Sequence, residues 1–261
     1  MNEAYKDYKH YSQDSLDQAF IDACYDQDFN LICYLLTATE LEIHPDIDAQ
    51  NQAGLVYLCE KGNLKILKYL LESPELDNHG FVFSEDSSLL GSACSNGHLE
   101  VVKYLLTSDN INNPNIHADD DYALYSSCLG GHLHIVEYLL TSPELDDHAY
   151  IHGNDNRPIE GIIGSGNLNI LKFVLTNPQL KEKADIESLA HHAFHESYSN
   201  KQMDMIEYLV IEYGIKKTEF IEYLLKNNSN KDIENMFMVR DLNNELSDNI
   251  LDKENNKRPK L

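Results

Sequence analysis

The sequence predicts an all-α chain: a solenoid of about six stacked helix pairs with short hairpin-like connectors and a helical C-terminal cap. Three observations carry that expectation. Gly97-His98-Leu99-Glu100-Val101-Val102-Lys103-Tyr104-Leu105-Leu106 recurs in variants along the chain. The first apolar residues of the copies are Phe29, Leu64, Leu99, Leu133, Leu168 and Met203, so the steps are 35, 35, 34, 35 and 35 residues. A fixed period of about 20–50 residues marks stacked units, none of which can bury its apolar face alone. Each copy also follows a short apolar run closed by a glycine or its substitute, which makes the unit a helix pair. Finally, Cys24, Cys59, Cys94 and Cys128 hold one register position, filled by Ile163 in the fifth copy. A place that accepts Cys or Ile is a small buried apolar site.

The elements follow in order. Residues 1–14 are polar and tyrosine-rich, an N-terminal arm. The array occupies residues 15–213, six copies with a period of 34–35. Ser15 is expected to cap a helix from Leu16 to Tyr25, whose apolar residues follow i, i+3, i+4 spacing. In the third copy, Ser87 or Ser88 opens a helix over Leu89–Cys94, and Asn96-Gly97 stops it. His98–Thr107 form the second helix, with Leu99, Val102, Leu105 and Leu106 on one face. Connectors open on Ser73-Pro74-Glu75-Leu76, Ser142-Pro143-Glu144-Leu145 or Asn177-Pro178-Gln179-Leu180, where proline suits a helix's first turn or the residues beyond its end. They close on polar tips, Asp119-Asp120-Asp121 and Asn154-Asp155-Asn156, built of turn formers. The sixth copy is worn: Lys201 stands for the glycine and Ser197-Tyr198 for the small apolar pair. An end unit has one face without a neighbour, so atypical sequence belongs there. Residues 214–240 are read as capping helices, at 218–226 and 232–239, and 241–261 as a disordered polar tail.

Composition narrows the function. The chain has 261 residues, with 44 acidic side chains against 20 basic and a formal net charge of −24. Such a field repels phosphates and anionic lipid and favours a cationic partner, so neither nucleic acid nor membrane is an expected ligand. No apolar run resembles a signal peptide or a membrane span, so no general secretory export is expected. Neighbouring helices pack at about 8–10 Å, beyond the roughly 7 Å Cα separation a disulfide spans; the register cysteines are therefore core thiols of a reducing compartment.

Gly97–Leu106 resembles the turn and second helix of an ankyrin repeat almost residue for residue. That family's first helix opens Thr-Pro-Leu-His, which falls here on Ser88-Leu89-Leu90-Gly91, Tyr122-Ala123-Leu124-Tyr125 and Arg157-Pro158-Ile159-Glu160; the histidine survives only as His195. The Ser-Pro-Glu-Leu connectors and the histidines after them resemble divergent arrays of intracellular bacteria and of large amoebal viruses. The resemblance covers residues 15–213. It implies a monomeric protein-binding module without catalysis or cofactor, docking its partner on a concave side made of tips and first helices. Carried over copy by copy, the floor holds Tyr57, Glu60 and Lys61, then Ser92, Ser95 and Asn96, then Ser126 and Leu129, then Gly161, Gly164 and Ser165. The rim holds Asp86, Asp120 and Asp155. A small-residue floor under an acidic rim suits a protein presenting a basic or amphipathic segment. The expected role is a bacterial effector acting on a host protein, cytoplasmic or delivered without a classical signal peptide. The alternatives are a stoichiometric regulator in the producing cell and an enzyme with a site in 185–240.

Chemistry-bearing motifs are sparse. His191 and His195 share a helix face and could hold a metal, but no third ligand is evident and the order is not His-Glu-x-x-His. His44, His79 and His148 share one register position, and His117 and His152 another, which indicates structural use. Asp86, Asp119, Asp120, Asp121 and Asp155 read as solvated turns, without the spacing of a calcium loop. Gly161, Gly164 and Gly166 lack the Lys-Ser/Thr of a phosphate loop. No catalytic or metal-binding residue is therefore assigned. Lys257-Arg258-Pro259-Lys260 is a weak candidate for nuclear import.

Overall fold

The computed structural model describes residues 8–83, 87–181, 186–218, 221–222 and 231–255. It divides into two compact units, Met1–Ile170 and Leu171–Leu261. Among the described residues every regular element is helical. The all-α fold built on the repeat is thus present, and its connectors are turns rather than paired strands.

The first unit holds α1 (Gln13–Asp26), α2 (Phe29–Thr37), α3 (Ala49–Lys61), α4 (Leu64–Glu72), α5 (Ser88–Ser95), α6 (Leu99–Thr107), α7 (Ala118–Leu129), α8 (Leu133–Thr141) and α9 (Gly153–Ser165). The first helices α1, α3, α5, α7 and α9 pack in that order, and each of α1, α3, α5 and α7 carries its own second helix. The helix α10 (Leu168–Thr176) runs across the division between the units. Ser12, rather than Ser15, caps α1: its hydroxyl accepts the Ser15 N–H at 3.4 Å, and the helix starts three residues earlier than expected. Cys24, Cys59, Cys94 and Cys128 are buried thiols between the layers. Desolvation pushes Cys24 up to about 12 and the other three higher. The buried stripe of α6 is Val101, Val102, Tyr104 and Leu105, with Leu99 and Leu106 half-buried. It is broader than the expected face because the neighbouring second helix covers Tyr104 as well.

Left-handed turns separate the two helices of each pair. Gly62, Gly97, Gly131 and Gly166 have φ of 69°, 82°, 75° and 66°. Position 97 excludes a side chain twice over: a Cβ there would strain the backbone and lie 2.7 Å from the His132 ring. Each following residue ties its turn to the copy before it. His98 Nε2 donates to the Glu60 carbonyl (2.8 Å), His132 Nε2 to the Ser95 carbonyl (3.0 Å), and Asn167 Nδ2 to the Gly131 carbonyl (2.9 Å). A carbonyl only accepts, so both histidines carry their proton on Nε2. The connector histidines satisfy carbonyls at the ends of second helices: His44 bonds Leu35 at 2.8 Å, His79 Ser73 at 2.6 Å and His148 Ser142 at 2.9 Å. Their shared register therefore reflects one structural job.

The second unit comprises the rest of α10, α11 (Pro178–Lys181), α12 (Ile186–Ser199), α13 (Met203–Glu207), a π-helical turn at Tyr208–Glu212, and α14 (Lys231–Asn255). Here α12 packs on α13, and α14 packs on α13 and the π-helical turn. Phe194 of α12 and Phe237 of α14 are buried with ring centroids 6.1 Å apart. Lys201 holds the turn at φ 59°, so the worn sixth copy keeps the conformation without the glycine. The expected helix at 218–226 lies mostly outside the described residues; Ile221 and Glu222 are helical. The next helix runs past the expected 232–239 to Asn255, into the segment expected to be disordered. Ile233 and Phe237 anchor its first turns, and a nucleated helix propagates cheaply.

Candidate functional site

On the first-helix face, α5 lies at the bottom of an open recess of about 610 Å³. Ser88, Gly91, Ser92 and Ser95 of α5 line it, with Ser87 just before the helix, Val56 and Glu60 from α3, and Asp119 and Tyr122 from α7. Three successive repeats thus contribute. The local fold explains each wall. Asp119, Asp120 and Asp121 have φ of 49°, 57° and 61°, a left-handed turn that aspartate tolerates better than most residues. That turn aims Asp119 at α5, where its carboxylate accepts the Ser87 hydroxyl at 2.5 Å. Tyr122 follows and lays its ring against Gly91: a Cβ there would lie 2.7 Å from it.

Of the residues expected at a binding face, Glu60, Ser92 and Ser95 meet in this recess. Tyr57 is half-buried beside it on α3, its ring centroid 5.3 Å from that of the exposed Tyr25. Asn96 and Asp120 are exposed, and Leu129 is 46% exposed at the end of α7. Ser126 does not belong to the floor. It is 4% exposed, and its small size serves the approach of α7 to α5. Gly161 is likewise buried: a Cβ on it would lie 3.0 Å from the Tyr125 carbonyl oxygen and 3.1 Å from Cys128 Cβ. The expected small-residue floor is therefore interrupted after α5, with Gly164 exposed and Ser165 half-buried further along in α9. Beyond α5 the surface is raised by Tyr122 and Tyr125, with the Arg157 guanidinium 4.3 Å from the Tyr125 ring centroid. Asp86 lies outside the described residues; Asp155 is in the first turn of α9, its side chain outside them.

Of the tip carboxylates, Asp119 and Asp120 are exposed, and Asp121 departs from its expected solvated role. Asp121 is 3% exposed, and its Oδ1 accepts from His117 Nδ1 (2.8 Å) and from the Tyr150 N–H of the next connector (3.0 Å). It braces two repeats. The backbone N–H of His148 and the His117 ring hold the exposed Asp147 carboxyl below its usual range. In α12, His191 Nδ1 donates to the Glu187 carbonyl at 2.7 Å, and His195 Nδ1 lies 3.0 Å from Glu196 Oε1. Among the described residues no three metal-ligating groups converge.

The electrostatics of the recess follow from where the cations go. Residues 8–170 contain six basic side chains: Lys9, Lys61, Lys65, Lys68, Lys103 and Arg157. The last five each lie over an aromatic ring: Lys61 over Tyr25, Lys65 over Phe29, Lys68 over Tyr104, Lys103 over Tyr138, and Arg157 over Tyr125. Among the described residues none forms an ion pair with Glu60 or Asp119. A second recess, of about 580 Å³, lies along α1 and includes Tyr8, Tyr11, Asp14, Asp22 and Asp26. It is built on the first repeat alone and offers a partner one helix face instead of three.

The sequence missed two features of this face. Tyr122 and Tyr125 occupy first-helix positions that the third copy fills with Ser88 and Gly91. Phe81 and Phe83, on the connector leading into α5, are 49% and 48% exposed. The available signal was the alternation Phe81-Val82-Phe83, in which only Val82 points inward.

A family model described as ankyrin repeats (3 copies) matches residues 20–115, 55–150 and 90–178. The chain belongs to the ankyrin-repeat family, whose repeats generally bind other proteins and are typically not enzymes. No curated protein and no solved structure matches it. Among the described residues no helix is long and apolar enough to cross a membrane.

Proposed function

We propose that the first-helix face of the first unit binds a partner protein through the α5 recess, and that the partner presents a basic segment. The observation that carries this reading is the recess between Glu60 and Asp119, whose carboxylates pair with no cation among the described residues, while Lys61 and Arg157 of the first helices are held over Tyr25 and Tyr125. Tyr57, Asn96, Asp120 and Leu129 lie on the surrounding surface and supply further contacts. Complementary charge speeds encounter and selects among partners more than it adds affinity. The partner being a host protein, reached by an effector delivered without a classical signal peptide, is the extension that the connector resemblance adds. A regulator acting inside the producing cell is the alternative.

The test is affinity capture with the full chain from host-cell lysate and from the producing cell's own lysate, at low and high salt. Ser92→Arg with Ser95→Arg is the control, because both side chains line the recess; Ser126 is buried and an arginine there would disturb the fold. A partner that the control and high salt both release supports the reading, and the lysate that yields it separates host target from internal regulation. A partner retained by the control places the interface elsewhere.

A further inference from the structure

Phe81-Val82-Phe83 leads into α5 as an extended run. Val82 is buried, and the two phenylalanines project outward, their ring centroids 5.1 Å apart at an interplanar angle of 65°. Half-exposed aromatics are unremarkable one at a time, but these two sit on a backbone pinned from both neighbouring repeats. The Phe81 N–H donates to Asp48 Oδ1 at 3.1 Å, the Phe81 carbonyl accepts from Gln52 Nε2, and the Val82 carbonyl accepts from Asn112 Nδ2 at 3.0 Å. Aromatics held ready on a fixed backbone lose little freedom when a partner covers them, which is the property of an interface anchor. The recess is close by: Ser87, which lines it, is four residues after Phe83, a reach of at most about 14 Å.

We infer that Phe81 and Phe83 form an apolar anchor for the same partner, which therefore docks as an amphipathic segment, its basic side on Glu60 and Asp119 and its apolar side on the two rings. This rests on the reading of the α5 recess as the binding face. It adds a polarity to the partner that charge alone does not specify: a uniformly basic chain satisfies the carboxylates and leaves the rings in water, while a two-sided helix covers both.

The experiment uses the full chain and two synthetic helical peptides of equal charge. One carries arginines along one face and leucines along the other; the second replaces its leucines by alanine. Binding is followed by fluorescence anisotropy for the wild type, for Phe81→Ser with Phe83→Ser, and for Glu60→Gln with Asp119→Asn. The wild type is expected to prefer the leucine peptide, and the phenylalanine variant to lose about tenfold in affinity for that peptide alone. The carboxylate variant weakens both peptides. Phe83→Ser alone repeats the test should the double variant melt early, since position 81 is where the backbone bonds to Asp48 and Gln52 gather. If the phenylalanine variant binds both peptides like the wild type while the carboxylate variant loses them, the anchor is wrong and the recess stands. If the carboxylate variant binds like the wild type, or neither peptide binds the wild type, the recess reading falls and the anchor with it.

Discussion

The two faces of the first unit use the same residue types to opposite ends. On the second-helix face the cations are consumed internally. Lys68 of α4 lies 4.9 Å from the Tyr104 ring centroid of α6, and Lys103 of α6 lies 5.4 Å from that of Tyr138 in α8. The Tyr104 hydroxyl donates to Glu72 at 2.5 Å, so lysine, tyrosine and glutamate are satisfied among neighbouring repeats. On the first-helix face Lys61 and Arg157 are held over Tyr25 and Tyr125, but Glu60 and Asp119 pair with no cation among the described residues. Both faces are charged, so charge alone does not locate function. A closed set of partners holds repeats together, whereas an open set is available to another molecule.

Three outcomes sharpen or break that contrast. The largest comes with alkaline pH. Burial raises the four core thiols from an ordinary value of 9.0, to about 12 at Cys24 and further at the others, and it raises Tyr104 and Tyr138 as well. A group raised on folding is neutral in both states below its unfolded value, so its contribution is complete below pH 9. Above that the unfolded chain releases the proton first, and each thiol removes on the order of 1.4 kcal/mol per pH unit. Urea midpoints measured from pH 7 to 11 should hold to about 9 and then collapse; a flat profile would mean the thiols are not buried as described.

Truncation of one ring on each face comes next. Tyr104→Ala should cost about 3 kcal/mol or more, since the ring is 8% exposed between two helices. Tyr122→Ala, a half-buried ring beside the recess, should cost markedly less while weakening binding of a basic peptide. Equal losses in chemical denaturation would erase the distinction between the faces. The smallest effects belong to the charges. Lys103→Gln should lower stability by about 0.5–1 kcal/mol through its cation–π contact and leave peptide binding intact. Glu60→Gln should do the reverse, with a melting temperature near wild type and a weaker salt dependence of binding.

The array was legible because its signals repeat. The period fixed the helix pairs, the Gly-His and Gly-Asn turns fixed where each pair folds back, and the shared position of Cys24, Cys59, Cys94, Cys128 and Ile163 marked the core. The face was only partly legible because a small residue has two uses that look alike in sequence. Ser92 and Ser95 are small beneath open space, while Ser126 and Gly161 are small so that a neighbouring helix can come close. Only the neighbour decides, and for Gly161 that neighbour is the Tyr125–Leu129 stretch a full repeat away. Asp121 misled for the same reason. Its second partner, the Tyr150 N–H, is 29 positions along, and a carboxylate on a polar tip gives no local sign of being buried. Phe81-Val82-Phe83 is too short an alternation to stand out beside a six-fold repeat.

The ties across the turns also set rules for rearranging the array. A repeat cut out at its connectors keeps its turn residue but leaves the residue roofing that turn in the following copy. His98 and His132 roof Gly62 and Gly97, while Gln27, left-handed at φ 59°, is roofed by Asn63, whose amide donates to the Gln27 side chain at 3.0 Å. Copies of this chain are therefore not freely interchangeable cassettes. Gly62 and Gly97 are met by histidines of the following copy, whereas Gly131 and Gln27 are met by the shorter asparagines Asn167 and Asn63. Any shuffled or lengthened version should assemble according to which junctions respect that pairing.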